Sequence, residues 1–279
     1  MGVEIFLYGL ALIWIIFASV QDLRKREVAD WLNFSLIIFA LGFRLFYGIF
    51  SDNGYGFFYQ GLIGLGIFFI LGNVLYYGRL FAGGDAKLMI ALGAVLPISA
   101  NFFVNLKVFV TFIMVFLFAG AIYGIIVTLN LSIRHFRVFK YDFYQRVKKN
   151  KRKFFVIMGL GVLMMVLGFF ESLLFIFGVL IFVFPYLFFY AKSVDEKCMV
   201  KEINVKNLAE GDWLYKDIKV GKDTIKARWD GLSKFEIEKI RKNFKKIKIR
   251  QGIPFVPVFL IAFLILIYIL NSSLWDAFW

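Results

Sequence analysis

The 279-residue chain has one cysteine, Cys198, and one histidine, His135. A single thiol excludes an intrachain disulfide and any multi-cysteine metal site. A single imidazole in a basic stretch leaves serine and cysteine hydrolases without a placed base, and His135 reads as a solvated side chain. Acidic residues are also scarce, 19 against 33 lysines and arginines, for a formal net charge of +14. Only 19% of residues are charged and 61% are hydrophobic, whereas a soluble domain has about a quarter charged and half apolar. The excess lies in long runs, which points to a bilayer rather than a large core.

A helix crosses about 30 Å of hydrocarbon with roughly 20 residues. Apolar runs of that size predict eight spans, at 3–20, 31–50, 56–77, 86–104, 107–130, 154–170, 172–190 and 253–270. The first is read as a retained span, because the basic cluster Arg24, Lys25, Arg26 follows the apolar run instead of preceding it. The stretch 154–190 is broken only at Glu171 and Ser172 and is read as a helical hairpin. With 21–30 on the cytoplasmic side, 31 of the 33 basic residues fall in cytoplasmic segments, with Arg44 and Lys107 the exceptions. Both termini are then expected outside, and the outer segments carry Glu4, Asp52, Glu171 and Asp276. This topology accounts for the net charge through contact with anionic lipid, without a nucleic-acid partner.

The expected architecture is an all-α polytopic membrane protein with a small cytoplasmic α+β module before the last helix. Its parts are a membrane core at 1–130, a basic cytoplasmic loop at 131–153, the hairpin at 154–190, the module at 191–250, and the last span with an outer tail at 251–279. Within the module, alternation over Trp213–Val220 predicts a strand, Gly221 a turn, and Ser233 with Glu236 a capping box opening a basic helix over 233–246. Gly61, Gly64, Gly66, Gly120 and Gly124 are expected at close helix contacts. Gln60 and Asn73 are polar groups in an apolar run, expected to hydrogen-bond between helices or to line a site.

Asp22 follows span one and Asp85 precedes span four. Two crossings separate them, so both return to one membrane face, near the interface where a charge is tolerated. Gly83 and Gly84 precede Asp85 and leave its backbone unobstructed, and the helix that follows sets a favourable dipole on the acid. Two nearby carboxylates cannot both ionise freely, so one keeps its proton. The ionised partner can draw a proton from water, and the protonated one can hydrogen-bond a scissile carbonyl. Such peptide hydrolysis needs no metal and no cofactor.

The segment Asp22-Leu23-Arg24-Lys25-Arg26-Glu27-Val28-Ala29-Asp30-Trp31-Leu32 resembles the first aspartate motif of the type IV prepilin peptidases. Gly83-Gly84-Asp85-Ala86-Lys87-Leu88-Met89-Ile90-Ala91-Leu92-Gly93-Ala94 resembles the second, which names the GxGD membrane aspartyl proteases, and Gly252-Ile253-Pro254-Phe255-Val256-Pro257 is similar to the closing segment. The resemblance implies a cytoplasmic-face endopeptidase, with Asp22 and Asp85 as catalytic acids, Gly83 and Gly84 carrying the turn, and Lys87 as electrostatic support. Its implied substrates are pilin-like or archaellin-like precursors, cut between a short leader and an N-terminal hydrophobic helix. Two departures stand out. Ala82 replaces the first glycine of GxGD, and a four-cysteine zinc element of bacterial members cannot exist with one cysteine, so cleavage without N-methylation is expected. The runs Glu210-Gly211-Asp212-Trp213-Leu214 and Gly231-Leu232-Ser233 are similar to the extra region of archaeal pilin-processing enzymes, ahead of the preflagellin peptidase alternative.

The more distant rival is a proton-coupled transporter using Asp22 and Asp85 as a relay. Acids in mid-span and helices broken at midplane would mark it, and the spans lack mid-helix aspartates. A scaffold without chemistry would leave the paired motifs unexplained. No substrate-binding residue is identified from the sequence. Glu27, Asp30, Glu210, Asp212 and Asp217 are candidates for attracting a basic leader.

Overall fold

The computed structural model describes residues 2–51, 54–221 and 223–279, so Asp52 lies outside it. Its helices run α1 (Gly2–Lys25), α2 (Asp30–Phe50), α3 (Gly56–Tyr77), α4 (Gly83–Val95), α5 (Phe102–Arg134), α6 (Phe136–Lys149), α7 (Lys151–Leu167), α8 (Ser172–Ser193), α9 (Lys234–Asn243), α10 (Val256–Leu270) and α11 (Leu274–Phe278). Among the described residues, five helices are long and apolar enough to cross a bilayer: Glu4–Lys25, Asp30–Phe50, Gly56–Tyr77, Phe102–Arg134 and Ser172–Cys198. The fifteen-residue α10 is a shorter apolar helix. The protein is therefore a mainly helical, polytopic membrane protein. Two compact units divide the chain, residues 1–124 with 253–279, and residues 125–252.

The first unit is built around α4, which packs on α3, α2 and α1, while α10 packs on α1. Small residues set the approach of α3 and α4. A Cβ on Gly64 would collide with the Gly93 carbonyl oxygen, and one on Gly93 with the Gly64 backbone. Gly72 likewise faces Ile90 at 2.8 Å. Gly61 lies against Arg44 and Gly120 against Phe255, as close contacts require, whereas a Cβ added at Gly66 or Gly124 would meet no atom within 4 Å. Gln60 accepts from Asn105 Nδ2 at 3.0 Å, an interhelical bond, while Asn73 bonds back to Phe69 O on its own exposed helix face.

The expected span 86–104 is not one helix. α4 ends at Val95, residues 96–101 are non-helical, and α5 begins at Phe102. Pro97 has no N–H to continue the helix, and irregular backbone in a bilayer must be buried and satisfied by protein. Arg44 of α2 does this. It is 0% exposed. Its Nε donates to Ala94 O at 2.9 Å, Nη2 to Val95 O and Pro97 O at 3.0 and 2.7 Å, and Nη1 to Phe57 O at 3.2 Å. Its guanidinium also stacks 4.0 Å over the Phe57 ring. Asn105 completes the cap by accepting from Ile98 N and Ser99 N. The arginine that broke the charge pattern is therefore an internal cap.

In the second unit, α7 and α8 pack closely, with Gly161 against the backbone of Gly178 and Phe182. The strands β1 (Val200–Asn204), β2 (Trp213–Leu214), β3 (Ile218–Val220), β4 (Asp223–Ile225) and β5 (Lys246–Arg250) form an antiparallel sheet β1-β5-β2 and a β3-β4 hairpin. Val200 stands opposite Arg250, and Trp213 shares that partner. A small core of Leu208, Leu214, Ile237, Ile240 and Ile249 holds α9 to the strands. The strand expected over 213–220 is two strands, interrupted at 215–217. The helix expected over 233–246 ends at Asn243, and the Lys-Ile-Lys-Ile-Arg run beyond it becomes the central strand β5. Ser233 and Glu236 exchange the bonds of a capping box. Gly211 and Leu232 bond through their backbones at 2.9 Å, which brings the 210–214 and 231–233 runs together, and the Trp213 and Trp229 rings lie 4.3 Å apart.

Candidate active site

The inward stripe of α1 runs through Leu7, Ala11, Ile15 and Ala18, all 0% exposed, at helical spacing. The next position on that stripe is Asp22, which is buried in the last turn of α1. Its Oδ2 accepts the Val256 backbone N–H at 2.9 Å, and the Phe255 N–H lies alongside. Val256 is the first residue of α10. The carboxylate thus caps that helix, where unpaired N–H groups and the dipole favour an anion. Arg26 closes α1 in the left-handed region with φ 59°, its N–H bonded to Asp22 O at 2.8 Å.

Asp85 is the third residue of α4. Its Oδ2 accepts from Ala82 N at 3.3 Å, which is the acid half of a capping box; Ala82 has no side-chain oxygen for the other half. Ala82 has φ −72° and ψ 163°, ordinary extended backbone that accommodates its methyl group. Gly83 and Gly84 are the first residues of α4, and neither has a positive φ. The expected glycine turn is therefore a helix start, and Gly84 serves instead for approach to Val28, whose Cβ would lie 3.4 Å from an added methyl. The left-handed residue of this connection is Arg79, φ 60°, where Leu80 N bonds Leu75 O and Arg79 N bonds Tyr76 O after α3.

α4 has thirteen residues, too few to cross a bilayer, and Asp85 lies in its first turn. Burial pushes the Asp85 carboxyl up to about 7; the negative charge of Asp22 adds to the rise, and the Ala82 N–H opposes it. The two acids, 63 residues apart in sequence, therefore act on one another. Lys87, two residues on, pairs with Asp30 Oδ1 at 2.5 Å, with both side chains substantially exposed. This bridge ties the start of α4 to the start of α2. It engages the Asp30 carboxylate considered above for a leader. Asp217 accepts from Ala227 N and Asp212 from Ala209 N, both as loop bonds within the second unit, and Glu210 pairs with Lys234. His135 is exposed between α5 and α6, with Nδ1 near Leu131 O. Among the described residues, no cluster of three or more His, Cys, Asp or Glu is placed to hold a metal ion.

Three contributions escape a reading of side-chain types. The Val256 N–H is a backbone donor with no sequence signature beyond the closing motif around it. Asn33 (2% exposed) and Ser19 (5%) are buried polar groups near the end of α1 and the start of α2. A polar residue on an apolar stripe at helical spacing from Asp22 or Arg44 was the available signal.

Helices that present two mutually acting carboxylates, each at a helix N-terminus, define a membrane protein with a paired-acid centre. The family model of type IV leader peptidases matches residues 9–129, a segment that holds both aspartates. It is 34% identical over 90 residues to a preflagellin peptidase of Methanococcus maripaludis, covering 32% of this chain and 38% of that protein. It is 33% identical over 87 residues to a preflagellin peptidase of Methanocaldococcus jannaschii, covering 30% and 36%. The chain thus matches little over a third of the length of either relative. No solved structure matches it.

Proposed function

We propose that the protein is a membrane aspartyl endopeptidase that removes the leader from pilin-like or archaellin-like precursors at the cytoplasmic face, without methylating the new N-terminus. The observation that carries this reading is the placement of two acids that act on one another, Asp22 bonded to the start of α10 and Asp85 in the first turn of α4, inside the segment that matches the leader peptidases. Asp22, bonded to the start of α10, is the ionised acid that takes a proton from water. Asp85 is the protonated acid that hydrogen-bonds the scissile carbonyl oxygen as the water attacks and negative charge develops there. Lys87 holds the Asp85 helix through Asp30 and does not itself touch the reacting atoms. Anionic lipid attracts the basic segments of the cytoplasmic side.

The names of the two relatives favour archaellin-like precursors as a second reading of the substrate. Cleavage of a co-reconstituted precursor by wild type, Asp22→Asn and Asp85→Asn tests the chemistry. Each variant is expected to lose roughly 10²- to 10⁴-fold in rate, the contribution of a positioned acid or base. Full activity in either variant refutes the assignment. Parallel assays with a pilin-like and an archaellin-like precursor separate the two substrates. Solute or proton flux without proteolysis would favour the relay.

A further inference from the structure

Asn33 is 2% exposed, yet neither its amide oxygen nor its amide nitrogen has a hydrogen-bond partner in the protein, and the same holds for the buried hydroxyl of Ser19. An amide left so costs stability, and folded proteins rarely retain one without use. Its place in the bundle says what the use is. α1 and α2 are consecutive helices joined by residues 26–29, and Gln21 Oε1 accepts from Ala29 N at 3.1 Å across the turn. Asp22 lies three residues before the end of α1, and Asn33 three residues after the start of α2, so the two sit at one depth.

The facing is fixed by Arg44. Asn33 and Arg44 are eleven residues apart, about three full turns, on one stripe of α2. Arg44 binds the carbonyls at the far end of α4. At the near end, Asp30 binds Lys87. Asn33, one turn inward from Asp30, is thus on the face of α2 turned to α4, near the turn that carries Asp85. Ser19 lies three residues before Asp22 on the inward side of α1.

We infer that Asn33, assisted by Ser19, binds the main chain of the substrate beside the scissile bond. This rests on the peptidase reading above. A peptide unit entering the bundle loses water from one N–H and one C=O, and a primary amide supplies one acceptor and donors to replace it. Such recognition reads the main chain and ignores side-chain identity.

The test compares wild type, Asn33→Leu, Ser19→Ala and Asp22→Asn in detergent with a purified precursor, measuring KM, kcat and thermal unfolding. Leucine has similar volume and removes the unpaired amide, so Asn33→Leu should unfold at an equal or higher temperature. Its KM should rise roughly ten- to hundredfold with kcat little changed, the pattern of lost ground-state and transition-state binding alike. Ser19→Ala should raise KM by a smaller factor. Wild-type KM in Asn33→Leu overturns the inference, and so does a fall in kcat alone, which would place the amide on the attacking water. A drop in unfolding temperature with unchanged KM assigns Asn33 to folding only and also overturns it. A wild type that cleaves nothing, or an active Asp22→Asn, refutes the peptidase reading itself and this inference with it.

Discussion

The backbone N–H of Val256 reaches Asp22 Oδ2 at 2.9 Å although 234 positions separate them. The acid of the first helix is thereby fastened to the start of α10, beyond the segment that matches the leader peptidases. A hydrogen bond to a charged group contributes about 1.5–3 kcal/mol, and a buried donor left without its partner costs a similar amount. Asparagine can still accept from Val256 with its amide oxygen, whereas alanine cannot. Asp22→Asn is therefore expected to lose activity while keeping an unfolding temperature near wild type. Asp22→Ala should lose both, with a stability deficit of about 1–3 kcal/mol, read by thermal unfolding in detergent. Equal stability of the two variants would show that the bond to α10 contributes nothing to the fold.

The pH dependence of cleavage should follow Asp85. Its proton is needed on the carbonyl-binding acid, and burial with the nearby Asp22 charge raises its pKa to about 7. A raised carboxyl is protonated below that value and ionised above it. Activity is therefore expected to decline as pH rises through about 7, roughly tenfold per unit well above it, and to fall on the acid side once Asp22, the base, takes up its own proton. The ionisation belongs to the pair, so Asp22→Asn should move the Asp85 carboxyl band in an infrared titration to lower pH. A rate that keeps rising above pH 8 would contradict this division of roles.

Arg44 should matter to stability more than its distance from the acids suggests. Replacing it with methionine strips partners from the carbonyls of Phe57, Ala94, Val95 and Pro97. Each buried group left unsatisfied costs about 1–3 kcal/mol, so Arg44→Met should lower the unfolding temperature sharply. Arg44→Lys keeps the charge without the planar fork and should fall between. Indistinguishable melting of Arg44→Met and wild type would mean that water, not the guanidinium, satisfies the broken end of α4.

Much of this organisation was legible in the sequence. Hydropathy marked the helical, polytopic character of the chain, although eight spans were expected and, among the described residues, five helices are long and apolar enough to cross. The failures have specific causes. Arg44 stood only as an exception to the charge pattern, because hydropathy counts a charge without knowing that four carbonyls meet it inside. The end of α4 was missed because the run to 104 stays apolar through Pro97, and composition cannot show a helix stopping within it. Gly83 and Gly84 were expected from the resemblance to carry a turn, whereas among the described residues the non-glycine residues in the left-handed region are Arg26 and Arg79. The strand β5 had its period-two signal in Lys246–Arg250, hidden in a run of basic residues. The donor to Asp22 was not legible, since any residue at 256 except proline would offer the same N–H.

The glycines give a prediction in which composition and geometry disagree. Gly64, Gly66, Gly93 and Gly124 are all helical, and by propensity alone alanine would stabilise each by up to about 1 kcal/mol. At Gly93, an added methyl would stand 2.6 Å from Phe68 Cβ and against the Gly64 backbone; at Gly64, it would meet the Gly93 carbonyl oxygen. Neither obstacle can rotate away, so α3 and α4 would have to separate, and overpacking of this kind costs about 1–3 kcal/mol. Because α4 carries Asp85, the same displacement should slow cleavage. Gly64→Ala and Gly93→Ala are thus expected to melt earlier and to cleave at least several-fold more slowly. Gly66→Ala and Gly124→Ala, where the added methyl would meet no atom within 4 Å, should match or exceed wild-type stability at full rate. Four variants assayed together for unfolding and cleavage decide it: uniform behaviour would mean that the α3–α4 spacing adjusts freely, and that the position of Asp85 does not depend on glycine contact between these helices.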